Sequence, residues 1–209
     1  CSKSDIKVVF ALGSHRHHTD EEKRKLVGDR VYSEVSCVDS EPDDCIHMGD
    51  TSRGTPVDIT RSVAEADFRI GVGNIEFHYF AGYSGGAKAL MPGVSTPRAI
   101  QANHTMMVDE NACAGKLDGN PLRADIEESE TFCHLDFIVN PILDEHKHIV
   151  FCVAGDVTKA HRAGCRYLDK MYRKPLKSRA DIVIVAQGGA PKDANLYQTQ
   201  KALDNSKYA

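Results

Sequence analysis

No apolar run in these 209 residues approaches the ~20 positions that a membrane-spanning helix needs, so no membrane partner is expected. Charge of one sign is equally scarce. The formal net charge is -4 and no basic run occurs, which removes the electrostatic reason to expect nucleic acid or a membrane surface. The N-terminus lacks a charged region followed by an apolar stretch, and the chain reads as cytoplasmic. Seven cysteines without a C-x-x-C pair suggest neither a disulfide framework nor a thiolate zinc site; they are expected to be reduced and mostly buried. Two phosphate-binding signatures are also missing. Counted from Gly82, a Walker A loop would need glycine at Ala87 and a hydroxyl at Ala89, and no G-x-G-x-x-G opens a helix after the first strand. Carboxylate pairs are sparse around the glycine-rich loop, where Glu76 is the one acid near His78, so two-carboxylate hydrolysis is not favoured.

What is present describes an ordinary globular chain, 41% hydrophobic and 27% charged, for which small molecules remain as the substrate class. The runs KVVFAL (7–12), FRIGVG (68–73), DFIVN (136–140), HIVFCVAG (148–155) and ADIVIVAQ (180–187) read as buried strands. Helical stretches separate them. Thr19 and Glu22 make a capping box, Ser95 with Pro97 and Asn120 with Pro121 mark two further starts, and Val157 to Tyr172 puts Ala160, Gly164 and Leu168 on one face. This alternation predicts an α/β fold with a mainly parallel sheet and flanking helices. The charged, proline-containing KPLKSR (174–179) marks a domain boundary. That boundary divides the chain into residues 1–173 and 174–209. Because the sequence opens on Cys1 and closes inside a helical pattern, it is expected to be an internal piece of a longer chain.

The candidate site residues each admit two readings. The loop AGYSGGAKA (81–89) is either a tight turn that packs closely, or a means of bringing Lys88 to a cofactor as a nucleophilic amine. His104 is a weak metal signal alone, since a zinc site wants four protein ligands, and gains meaning if a cofactor fills the other positions. His15, in ALGSHRHHT (11–19), and His78, in GNIEFHYFAGYSGG (73–86), follow strands whose carboxyl ends are where ligands gather. Their imidazoles suit proton transfer near neutral pH, although core or surface histidines are as common. His17, His18, His134, His146, His148 and His161 are expected at the surface, and GNPLRADIEES (119–129) as a well-capped acidic helix with a solvated face. Gln198 and Lys201, three apart in NLYQTQKAL (195–203), form either an exposed polar stripe or an amide and a cation for a small carboxylate.

Taken together, the motifs at 11–19, 54–95, IQANH (100–104), GNPLRADIEE (119–128), AGDVTKAHRAGC (154–165) and APKDANLYQTQKAL (190–203) resemble the nickel-dependent lactate racemase family. The H-x9-K-x15-H spacing of His78, Lys88 and His104 is the most specific element of that resemblance. It implies a racemase or epimerase of a small 2-hydroxy acid, lactate by default, working through a 2-keto acid. It also implies a nickel-pincer nucleotide, a pyridinium-3,5-bisthiocarboxylic acid mononucleotide carrying nickel, supplied by cofactor-biosynthesis proteins. Lys88 would bond covalently to this cofactor, His104 would ligate nickel, His15 and His78 would be the catalytic acid–base pair, and Gln198 and Lys201 would contact substrate. Alternatives are a larger hydroxy acid or sugar acid as substrate, an isomerase in which Lys88 forms a Schiff base with pyridoxal phosphate, and a non-catalytic cofactor-binding protein. The resemblance makes residues 1–173 an N-terminal α/β catalytic domain whose first segment is missing, since nothing matches the family's N-terminal arginine that clamps substrate, and 174–209 the start of a C-terminal α/β domain.

Overall fold

The computed structural model describes residues 2–190 and 195–206, apart from the side chains of Tyr197, Gln198 and Asn205. The first strand, β1 (Lys7–Phe10), leads through a histidine-rich loop into α1 (Asp20–Glu34). There Thr19 accepts from the Glu22 N–H while the Glu22 carboxylate accepts from the Thr19 N–H, the expected capping box. β2 (Ser36–Asp39) lies parallel to β1. β3 (Cys45–Asp50) and β4 (Pro56–Thr60) form an antiparallel hairpin followed by the single turn α2 (Arg61–Ala64).

β5 (Ile70–Val72) precedes a small hairpin of β6 (Phe77–His78) and β7 (Gly82–Tyr83), then a 3-10 turn at Gly86–Ala89. After it come α3 (Pro97–His104), α4 (Pro121–Ser129), the strands β8 (Phe137–Leu143) and β9 (Ile149–Gly155), α5 (Val157–Tyr172) and α6 (Leu196–Ser206). α4 starts as expected, with Asn120 accepting from the Arg123 N–H. α3 is capped by Thr96 rather than Ser95, because Ser95 is bridged to Ile59 and donates its hydroxyl to the Leu90 carbonyl.

The α/β class holds, but the pairing is mixed rather than mainly parallel. β1 with β2 and β5 with β8 are parallel; β3 with β4, β6 with β7 and β8 with β9 are antiparallel. The short connection between β8 and β9 admits a hairpin, whereas a parallel pair needs a crossover of about a dozen residues. The expected strand at 180–187 does not form. Ile182 and Ile184 are 82% and 95% exposed, and among the described residues no neighbouring strand satisfies this segment's backbone groups.

α5 covers β8 and β9, burying the expected Ala160, Gly164 and Leu168. The core joins β4 (Val57, Ile59), the 75–94 region (Ile75, Phe80, Leu90, Met91) and α4 (Leu122, Ile126) to β8 (Ile138, Ile142). The cysteines are less buried than expected: Cys133 and Cys165 lie inside, Cys37, Cys45 and Cys113 are half-buried, and Cys152 is exposed. The six cysteines among the described residues are free thiols.

Candidate active site

The β6–β7 hairpin turns through Tyr79, Phe80 and Ala81, and its geometry depends on Gly82. That residue has φ +77, and a Cβ there would sit 2.2 Å from the Lys116 carbonyl oxygen. The turn brings the Ala81 N–H to Nδ1 of His78 at 3.2 Å. Phe80 lies edge-on to two rings at once, 4.5 Å from His78 and 4.9 Å from His104 between centroids. One buried aromatic side chain thus joins the hairpin to the last residue of α3.

Lys88 sits in the 3-10 turn beyond the hairpin. Burial and the nearby Arg123 charge push its amine down to about 7. His78 is lowered to about 2, by burial first and then by the charges of Lys88, Arg123, His104 and Lys201. His104 is also lowered by burial and Lys88; the Ile100 carbonyl opposes this, yet no hydrogen bond of ordinary geometry reaches the buried His104 Nδ1. Among the described residues, no carboxylate hydrogen-bonds to His78, Lys88 or His104. The result is a desolvated cluster of readily deprotonated bases beside the cations Arg123 and Lys201, suited to an anionic ligand.

His15 lies apart from this cluster, exposed on the loop after β1. The two are linked through backbone: the Gly13 N–H donates to the Gly93 carbonyl at 2.9 Å, and the Gly93 N–H to the Lys88 carbonyl at 3.2 Å. Lys201, on α6, reaches His78 electrostatically, while the side chain of Gln198 lies outside the described residues. A cleft of about 290 Å³ bordered by Tyr83, Gly115, Asp118, Arg162, Cys165 and Arg166 holds none of these groups.

Several contributors escaped sequence reasoning. α4 is not solvated: Leu122, Arg123, Asp125, Ile126 and Ser129 are all buried. Arg123 donates from Nε to the Ala81 carbonyl at 3.1 Å and from Nη2 to the Tyr83 carbonyl. Asp125 accepts from Asn103, the neighbour of His104, at 2.7 Å, and from Thr51 at 2.5 Å. The apolar pair Leu122 and Ile126, four apart, was the available sign that this face turns inward. His161, expected at the surface, is 2% exposed; its Nε2 meets the Ser84 carbonyl at 2.8 Å, and burial and Arg123 lower it to about 3. A Cβ on Gly86 would stand 3.0 Å from that ring. Gly82 and Gly86 therefore let the protein pack closely on itself.

Fold and site together define an α/β domain that gathers a half-buried lysine and two half-buried histidines, each held below its ordinary proton affinity. The lactate racemase N-terminal domain model matches residues 1–115, and the chain belongs to that family. It is 34% identical over 203 residues to the lactate racemase of Lactiplantibacillus plantarum and 36% over 205 residues to that of Thermoanaerobacterium thermosaccharolyticum, in each case spanning 48% of the relative. These alignments cover 95% and 96% of this chain. The structure of the lactate racemase apoprotein from the latter organism superposes with a TM-score of 0.86 at 32% identity, over 93% of this chain and 48% of that one. A crystal structure of a Thermotoga maritima protein shares the fold with a TM-score of 0.66 at 21% identity, over 78% of this chain and 46% of the other.

Proposed function

We propose that the protein containing this chain racemises or epimerises a small 2-hydroxy acid, lactate first, with a nickel-pincer nucleotide as cofactor. The observation that carries this reading is the half-buried, desolvated cluster of Lys88, His78 and His104 in a family of lactate racemases. The residues fit the cofactor at both attachment points. Lys88 is held near the pH where its amine is neutral and nucleophilic, and His104 has a buried ring nitrogen without a partner among the described residues. No group of three or more His, Cys, Asp or Glu side chains disposed to hold a metal occurs among the described residues. A metal at His104 would thus take its other ligands from a cofactor, as a pincer provides. When bound, that group supplies the hydride acceptor and donor; Lys88 would hold it and His104 would complete nickel coordination.

The chain's own residues supply the proton chemistry. Either hand of substrate must lose a hydroxyl proton on one side and regain one on the other, so two proton-transfer groups are needed, His15 and His78. Lys201, with Gln198, would hold the carboxylate and stabilise negative charge. The buried orphan nitrogen of His104 favours this reading over a pyridoxal phosphate isomerase, which would use Lys88 but leave His104 without a role.

The test is a polarimetric screen of 2-hydroxy acids with the full-length, nickel-loaded protein and its His15→Ala and His78→Ala variants. Each variant should retain nickel and lose at least about 100-fold in turnover. Normal racemisation by both would refute the mechanism. Borohydride-sensitive absorbance without nickel would favour pyridoxal phosphate.

A further inference from the structure

Arg123 has no exposed surface, and its surroundings are unusual for a buried cation. Its nearest carboxylate, Glu127, is 3.9 Å from Nη1, too far for a hydrogen bond, and is instead gripped by Arg162 through two bonds of 2.8 Å. The guanidinium is committed to main chain, donating to the carbonyls of Ala81 and Tyr83 across the β6–β7 turn. Ala81 is thereby fixed from one side, while its N–H points at Nδ1 of His78. A ring nitrogen that accepts a hydrogen bond carries no proton, so neutral His78 carries it on Nε2. Nε2 has no hydrogen-bond partner among the described residues and is the atom left to meet a substrate oxygen.

We propose that Arg123 is a positioning residue for His78: by holding the Ala81 and Tyr83 carbonyls it aims the Ala81 N–H at Nδ1 and places the exchangeable proton on Nε2. The proposal rests on the role of His78 in proton transfer given above. Its consequence is that His78 meets the substrate oxygen first as a hydrogen-bond donor. It becomes a base only after the Ala81 N–H is released and the ring proton moves to Nδ1. The two histidines are then unequal partners, one set by buried main chain and the other on an exposed loop.

The test uses full-length protein with 15N-labelled histidine and arginine, cofactor-free and nickel-loaded, with ring nitrogens read by long-range proton–nitrogen correlation. His78 signals are assigned by their loss in His78→Gln. Wild-type His78 should show a single neutral form protonated on Nε2, and the Arg123 Nε–H should exchange with solvent far more slowly than that of the exposed Arg98. Arg123→Lys keeps a charge but cannot hold both carbonyls. It should bring the two ring-nitrogen shifts toward a common value and lower turnover about 100-fold. Arg162→Lys should leave the His78 signals unmoved. A wild-type proton on Nδ1, a fast-exchanging Arg123 Nε–H, or a folded Arg123→Lys protein that keeps the single Nε2–H form would each overturn the proposal, the first two without any variant. These spectra need no substrate, so a protein that racemises nothing would count against the function alone.

Discussion

Lys88 is a basic side chain held where its charge is unwelcome, with a consequence for stability as well as reactivity. Its amine titrates near 7 in the folded chain and near 10.5 unfolded, so the folded state binds fewer protons between those values and stability rises with pH across that window. Below about 7 the ammonium is charged in both states and the full penalty is present. Lys88→Met should therefore stabilise the chain by about 2–4 kcal/mol at pH 6.5, with most of the gain gone by pH 10.5. Denaturant unfolding of both proteins at the two pH values measures this. The desolvated histidines act at the acid end. His78 and His161, lowered to about 2 and about 3, stay neutral in the fold while the unfolded chain protonates below about 6.5. The stability they contribute is complete above 6.5 and is lost as pH falls. Between pH 6.5 and 5, above the range of most carboxylates, stability should drop by up to about 1.4 kcal/mol per pH unit for each ring. His161→Gln should flatten that slope without abolishing it.

Helix α4 is the element that assembles the site. From one short helix, Asn120 reaches the Phe80 carbonyl at 2.8 Å, Arg123 the Ala81 and Tyr83 carbonyls of the hairpin, and Asp125 the residue beside His104. Asp125→Ala would leave Thr51 and Asn103 without their buried acceptor. A loss of about 2–4 kcal/mol in denaturant unfolding is expected, larger than for an exposed carboxylate such as Glu21. The start of α4 was legible in the sequence because capping is local, as Asn120 and Pro121 show. Its orientation was not, since Arg123 and Asp125 count as solvated residues until partners 40 and 22 positions away are known. The same limit applied at Ser95, displaced as cap by a contact with distant Ile59.

At the scale of the whole molecule, this chain spans about half the length of the curated relatives it matches. Among its described residues, the proton-transfer candidates are split between a half-buried hairpin residue and an exposed loop, and Lys201 approaches from α6. We expect the 209-residue chain alone to turn over lactate at least about 100-fold more slowly than the full-length protein after identical cofactor loading, because imperfect substrate positioning removes much of the rate. Comparable turnover by the two, followed by polarimetry, would show that this half suffices.

Local and stepwise rules were enough for the sequence to determine the α/β class, the capping box at Thr19, the face of α5 and the spacing of His78, Lys88 and His104. Each depends on residues close together in the chain. Only the tertiary structure decided that the strands pair in both senses, that the glycines of 82–86 make room for Lys116 and His161, and that α4 turns inward. It also decided that Lys88 and His78 lose protons more readily than their free side chains, because a side chain's proton affinity follows from the water it has lost and the charges folded around it.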